Sequence, residues 1–185
     1  MKISKMVCLG DSITWGFPFG PQYSWVDLAS RTLDFPMINR GLNGDTADDL
    51  LERFSKDVAL KVPSHVFIMV GTNDASIGVS REAFLKTIHQ LHSCTLLHRV
   101  TPIFGQPVPS FDRWLEARLE KYRRGLSDFT AGKAIGLVDF SPAMLLPDGS
   151  VNRNCFTDEV HPSKTGYRMM AGLFVDFCRK YLFDS

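Results

Sequence analysis

Short apolar runs alternate along this chain with longer amphipathic segments. Ile3–Leu9 reads as a strand that stops at Gly10. Trp25–Leu33 carries apolar residues at 25, 26, 28, 29 and 33, the spacing of one helix face. Met37-Ile38 is a short strand behind Pro36, and Thr46 caps a helix carrying Leu50, Leu51 and Phe54. His65–Val70 is the clearest buried strand, because an unbroken apolar run suits a parallel sheet covered on both faces. Ser80 opens a helix to about Leu97, with Glu82 in its first turn. Val100–Phe104 and Ala134–Phe140 are further strands, separated by a long amphipathic helix over Phe111–Phe129. Pro162 starts a closing helix to about Leu182, at a position where its missing N–H costs nothing. Strands alternating with helices in this way imply right-handed crossovers and a parallel sheet with helices on both faces.

Composition narrows the picture. The chain has 185 residues and 44% apolar content, enough for one domain with a real core. No repeat, low-complexity stretch or linker divides it, and Pro147-Asp148-Gly149-Ser150 marks a turn within the domain. Lys plus Arg is 21 against 20 for Asp plus Glu, so the basic excess of a nucleic-acid or acidic-membrane binder is missing. The 4 cysteines, at 8, 94, 155 and 178, have no metal-ligand spacing and suit free thiols in a reducing cytoplasm. No apolar run approaches the ~18 residues of a membrane span. The apolar run Met6–Leu9 after the basic start at Lys2 and Lys5 is shorter than the ~7–15 residues of a signal-peptide core, so a cytoplasmic location is expected.

The polar residues fall at telling positions. The first strand ends in Gly10-Asp11-Ser12, the second is followed by Asn43-Gly44-Asp45-Thr46, and the third ends in Gly71-Thr72-Asn73-Asp74. In an open parallel sheet, that edge is where ligands bind. A fourth segment, Asp158-Glu159-Val160-His161, precedes the last helix. Each segment alone reads as a turn, a cap or a surface histidine. Together they supply a hydroxyl, a side-chain amide, a carboxylate, an imidazole and glycines that expose backbone.

Those groups suit acyl transfer. A serine hydroxyl is a weak nucleophile until a base takes its proton, and His161 is such a base, with an ordinary pKa of about 6.5. Asp158 lies three residues before His161 and can orient the ring from a tight loop or single helical turn. A tetrahedral oxyanion needs donors aimed at it. The Ser12 N–H, the Gly44 N–H and the Asn73 amide are candidates, with glycine at 44 keeping a Cβ out of the substrate's way.

On these four blocks the sequence resembles the SGNH hydrolases, also called GDSL-type esterases and lipases. The matching residues are Gly10-Asp11-Ser12-Ile13-Thr14, the glycine of Asn43-Gly44-Asp45-Thr46, Gly71-Thr72-Asn73-Asp74 and Asp158-Glu159-Val160-His161-Pro162, in family order. The resemblance implies one SGNH hydrolase domain over residues 1–185, with a flavodoxin-like three-layer α/β/α fold around a five-stranded parallel sheet. It implies Ser12 as nucleophile, His161 as base, Asp158 as the residue that orients it, and an oxyanion hole from Ser12, Gly44 and Asn73. Asp11 is structural in that pattern. No metal or cofactor is needed, and the partner is a small-molecule ester. A carbohydrate O-acetyl esterase, a lysophospholipase or a thioesterase would use the same residues. Trp15 departs from the small or acidic residue of many relatives, and Ala75–Val79 leaves little chain for a large lid.

Other readings fit less well. An α/β-hydrolase needs Gly-x-Ser-x-Gly, which Gly125-Leu126-Ser127-Asp128-Phe129 lacks. Gly10-Asp11-Ser12 is not a dinucleotide fingerprint, and Gly132-Lys133-Ala134 is not a P-loop. His89, His92, Cys94 and His98 share a helix, but Cys94 and His98 point roughly 140° and 180° away from His89, so they read as surface. A non-catalytic binding module would be expected to lack Ser12, Asn73 or His161, and all three are present. Trp15 and Phe17 are candidates for an apolar substrate wall, whereas Trp25, Phe111 and Trp114 are expected to pack into the core.

Overall fold

The computed structural model describes residues 3–183. Met1 and Lys2, at the basic start of the chain, lie outside them. Five parallel strands form one sheet in the order β2-β1-β3-β4-β5, where β1 is Met6–Gly10, β2 Met37–Gly41, β3 His65–Met69, β4 Thr101–Gly105 and β5 Gly136–Val138. Alternation along the strands divides the core. Met6, Cys8, Phe67, Met69 and Ile103 face one way, and Val7, Leu9, Val66, Ile68 and Phe104 the other.

Helices cover both faces. Eight α-helices are present among the described residues: α1 Ser12–Trp15, α2 Trp25–Leu33, α3 Ala47–Asp57, α4 Thr72–Ile77, α5 Arg81–Leu97, α6 Arg113–Ala131, α7 Ser141–Met144 and α8 Lys164–Cys178. Trp25 of α2 and Phe174 of α8 pack on Phe67 from the first face. Leu50 and Phe54 of α3, Ile88 and Leu91 of α5, and Leu126 of α6 close the second. This is the expected three-layer α/β/α arrangement.

Local chemistry sets the helix starts. Thr46 accepts from the Asp49 N–H while the Asp49 carboxylate accepts from the Thr46 N–H, a reciprocal capping box. Ser80 caps α5 and Asp112 caps α6. The last helix departs from expectation: Ser163 is its cap, helix begins at Lys164, and Pro162 instead bridges Phe156. It ends at Cys178, and π-type turns carry the chain through Phe183. β5 is shorter than the expected Ala134–Phe140. Ala134 has φ +54, a left-handed value that no strand accepts, and pairing with β4 begins at Ile103, past Pro102, which has no ladder N–H. Past β3, Gly71 is the N-cap of α4, and Thr72, Asn73 and Asp74 form its first turn.

The order β2-β1-β3 puts the switch point between β1 and β3, where the chain runs off in opposite directions and leaves a crevice past the strand ends. α1 and α4 start directly from those two strands. The α1 backbone crosses β2 so closely that a Cβ on Gly41 would stand 2.1 Å from the Trp15 nitrogen and 2.7 Å from the Asp11 carbonyl.

Candidate active site

Ser12 is the first residue of α1. As such its N–H has no acceptor within the helix and is available to a ligand. Asp11 caps this helix, its Oδ1 accepting from the Ile13 N–H at 2.9 Å. Gly10, Asp11 and Ser12 therefore form a strand end, a cap and a first helical residue in direct succession.

His161 arrives from the other end of the chain. Residues 157–160 form a bend stitched to itself: Asp158 Oδ1 accepts from the N–H groups of Val160 (2.9 Å) and His161 (2.7 Å), and the Thr157 N–H donates to the His161 carbonyl at 2.8 Å. That leaves Asp158 Oδ2 for the ring, 2.8 Å from His161 Nδ1. Burial pushes the Asp158 carboxyl up, but the bonds from the His161 and Val160 N–H groups and from the ring outweigh it and hold the group below the usual carboxylate value. An ionised carboxylate only accepts, so Nδ1 carries the proton and the Nε2 lone pair of a neutral ring faces outward. Nε2 lies 3.1 Å from Ser12 Oγ. An unbroken hydrogen-bonded chain thus runs from Asp158 through His161 to Ser12.

Two contacts hold that chain from the side. The Phe17 ring packs against the His161 ring with centroids 4.6 Å apart. The Tyr167 hydroxyl, on α8, donates to the Phe17 carbonyl at 2.7 Å and ties the loop after α1 to the helix after His161. Neither Tyr167 nor its partner carbonyl carries a sequence signal, because the two residues are 150 positions apart.

Gly44 lies on the loop between β2 and α3, and Asn73 in the first turn of α4. Gly44 has φ +89 and open space where a Cβ would stand, so what demands glycine there is the left-handed backbone. The Asn73 amide donates one N–H to the Asp45 carbonyl at 2.8 Å, which orients it and leaves its second N–H. Asp74 is buried and caps α3, both its oxygens accepting from the Ala47 N–H.

The carboxyls behind Ser12 are far from their ordinary state. Burial pushes Asp11 up to about 7, against the Ile13 N–H and with help from the charges of Asp74 and Asp45. Burial raises Asp74 to about 6. Between pH ~4 and ~7 the folded chain keeps protons that the unfolded chain releases, so this stability is complete below pH 4 and lost as pH rises to 7. Asp11→Asn keeps the cap oxygen but cannot ionise. Denaturant unfolding at pH 5 and pH 8 is expected to show the native chain losing about 3 kcal/mol relative to Asp11→Asn, at 1.36 kcal/mol per pKa unit. An unchanged difference would mean that Asp11 is ionised throughout.

A cleft of about 690 Å³ opens beside His161, lined by Ala75, Leu115, Arg118, Asp158 and Glu159 among others. Trp114 lines it too and is 86% exposed, so it is a wall of the cleft and not the core residue expected. The signal was its place in the first turn of α6, directly after the Asp112 cap. Phe111, by contrast, packs edge-on against Phe156, and Trp25 is fully buried. Trp15 is not brought to this cleft: it lines a separate cavity of about 430 Å³ with Arg40, Lys56 and Asp57. His89 and His92 lie against Phe129 while His98 stacks on Phe54, so they do not converge. Among the described residues no group of side chains could hold a metal ion, and no helix is long and apolar enough to cross a membrane.

A doubly covered parallel sheet with a serine, a histidine and a carboxylate in hydrogen-bonded sequence at its switch point is the architecture of the SGNH class. The chain belongs to the GDSL-like lipase/acylhydrolase family, a family of ester hydrolases, whose model matches residues 8–169. It is similar in structure to a lipolytic protein of the G-D-S-L family from Desulfitobacterium hafniense (29% identity, TM-score 0.87, covering 94% of this chain and 98% of that one). The Enterococcus faecalis lipase/acylhydrolase has the same fold at 24% identity and TM-score 0.84, with 96% of each chain covered. So does the Mycobacterium smegmatis aryl esterase at 19% identity and TM-score 0.79, covering 96% of this chain and 99% of that one. A curated Bacillus subtilis lipoprotein, YqeF, is 30% identical over 117 residues, 56% of this chain; the match spans 48% of the lipoprotein, about half its length.

Proposed function

We propose that this protein is a serine esterase that cleaves small carboxylic esters through an acyl-enzyme on Ser12. The observation that carries the reading is the unbroken Asp158–His161–Ser12 chain, at 2.8 and 3.1 Å. Ser12 Oγ attacks the ester carbonyl carbon while its proton passes to His161 Nε2. Asp158 holds the ring in the tautomer this needs and stabilises the imidazolium. The negative charge that develops on the carbonyl oxygen meets the Ser12 N–H, the Gly44 N–H and the free N–H of Asn73. The C–O bond to the alcohol breaks, and the leaving oxygen takes the proton from His161. Water then attacks the acyl-enzyme, again giving a proton to His161, and the second tetrahedral intermediate returns Ser12 with its proton.

Small acyl groups are favoured by the short stretch between Asn73 and α5, which α4 and Gly78–Ser80 fill completely, and by Phe17 against the base. The cleft beside His161 is then the alcohol side. Its wall of exposed Trp114 with Arg118, Asp112 and Glu159 supports a second reading, a carbohydrate O-acetyl esterase, since an aromatic face ringed by polar groups suits a sugar. Both hydrophobic layers share one sheet, which supports treating the chain as a single domain. The unpaired Cys8, Cys94, Cys155 and Cys178 support a reducing compartment.

A panel of p-nitrophenyl esters from acetate to palmitate, with Ser12→Ala as the blank, tests the substrate class. Turnover is expected to be highest for acetate and to fall with chain length. A preference for palmitate, or no turnover of any ester, would overturn it.

A further inference from the structure

The three donor-bearing segments come from different parts of the fold, and one side chain bonds to two of them directly and reaches the third through Asp45. Arg53 sits on α3 and is 12% exposed. Its Nη2 donates to the Gly10 carbonyl at 2.9 Å, two residues before Ser12. Its Nε donates to Asp45 Oδ2 at 2.6 Å, next to Gly44. Its Nη1 donates to Asp57 Oδ2 at 2.9 Å, which anchors the guanidinium to its own helix. The Asp45 carbonyl, in turn, is the acceptor that orients Asn73 at 2.8 Å. The Gly10 carbonyl also accepts from the Leu42 N–H at 3.0 Å, so the second segment is tied to the first at two points.

The geometry points to Arg53 as the positioning residue of the oxyanion-binding groups, holding the Ser12, Gly44 and Asn73 donors in register before charge develops on the substrate. This rests on the acyl-transfer reading of Ser12. The physical need is specific. Among the described residues nothing packs within 4 Å of the Cβ position of Gly44, so neighbours along the chain set where its N–H points. Donors stabilise a transition state in proportion to how little they must reorganise. A planar guanidinium makes three fixed bonds at once, which a lysine ammonium cannot reproduce from the same stem. The Ser12–His161–Asp158 chain has no contact with Arg53 and should survive its loss.

The test is a double-variant cycle on p-nitrophenyl acetate hydrolysis. Arg53→Met is expected to lower kcat by about 10- to 100-fold, the scale of an ångström-sized misplacement of catalytic groups, with KM nearly unchanged. Arg53→Lys recovers part of the loss. Adding Arg53→Met to Asn73→Ala should cost far less than the product of the two single losses, because both act on the same donors. Simple multiplication of the losses, or an unchanged kcat in Arg53→Met, overturns the assignment. If Arg53→Met does not fold, Arg53→Lys and Asp45→Asn decide: reduced kcat in both supports it, and native kcat in both overturns it. Ser12→Ala runs alongside. Activity retained there would sink the esterase reading itself, whereas a dead Ser12→Ala beside a fully active Arg53→Met sinks only the role of Arg53.

Discussion

Ser12→Ala is expected to remove ester hydrolysis down to the reagent background, a fall in kcat of about 10⁴-fold or more. Without the hydroxyl no acyl-enzyme forms, and His161, Asp158 and the oxyanion donors are left with no nucleophile to assist. The fold should scarcely notice. Ser12 makes one side-chain hydrogen bond, to His161, and alanine is a better helix former at the start of α1. The unfolding midpoint should therefore shift by no more than the equivalent of about 1 kcal/mol, the size of one hydrogen bond. Turnover compared with thermal melting of the same sample separates a chemical loss from a structural one. Activity above background in a folded Ser12→Ala protein would remove Ser12 as the nucleophile.

Asn73→Ala is expected to cost about 2.7–4 kcal/mol of transition-state stabilisation, or 10²- to 10³-fold in kcat, if its free N–H meets the oxyanion. The loss should appear in kcat and kcat/KM alike, since the ground-state carbonyl gains little from a donor placed for the oxyanion. Asn73 also holds the Asp45 carbonyl, so part of the effect passes through the Gly44 loop. A loss under twofold would take Asn73 out of the oxyanion role.

Much of this fold is legible in the chain because the signals are local. His65–Val70 reads as a strand from its apolar run alone, and Thr46 announces α3 through a box that closes within three residues. Three of the four polar segments mark the candidate site because a parallel sheet sends every strand end to the same edge; the fourth, Asp158–His161, reaches it from the bend before α8. What escapes is short or distant. α1 spans four residues and α4 six, too few for a helical period to show. β5 shrinks because of a left-handed Ala134 and a proline in the neighbouring strand, which are tertiary constraints. Trp114 has the same composition signal whether it faces core or cleft, and only the direction of α6 decides. Arg53 and Tyr167 act across 43 and 150 residues of sequence, and nothing in their local pattern marks them.

The most direct measurement is to trap the enzyme with a fluorophosphonate probe and map the adduct by peptide mass spectrometry. An activated hydroxyl is required for labelling. One adduct is expected, on Ser12, forming far more slowly in His161→Ala. An adduct on another residue, or an equal rate without the imidazole, would contradict it.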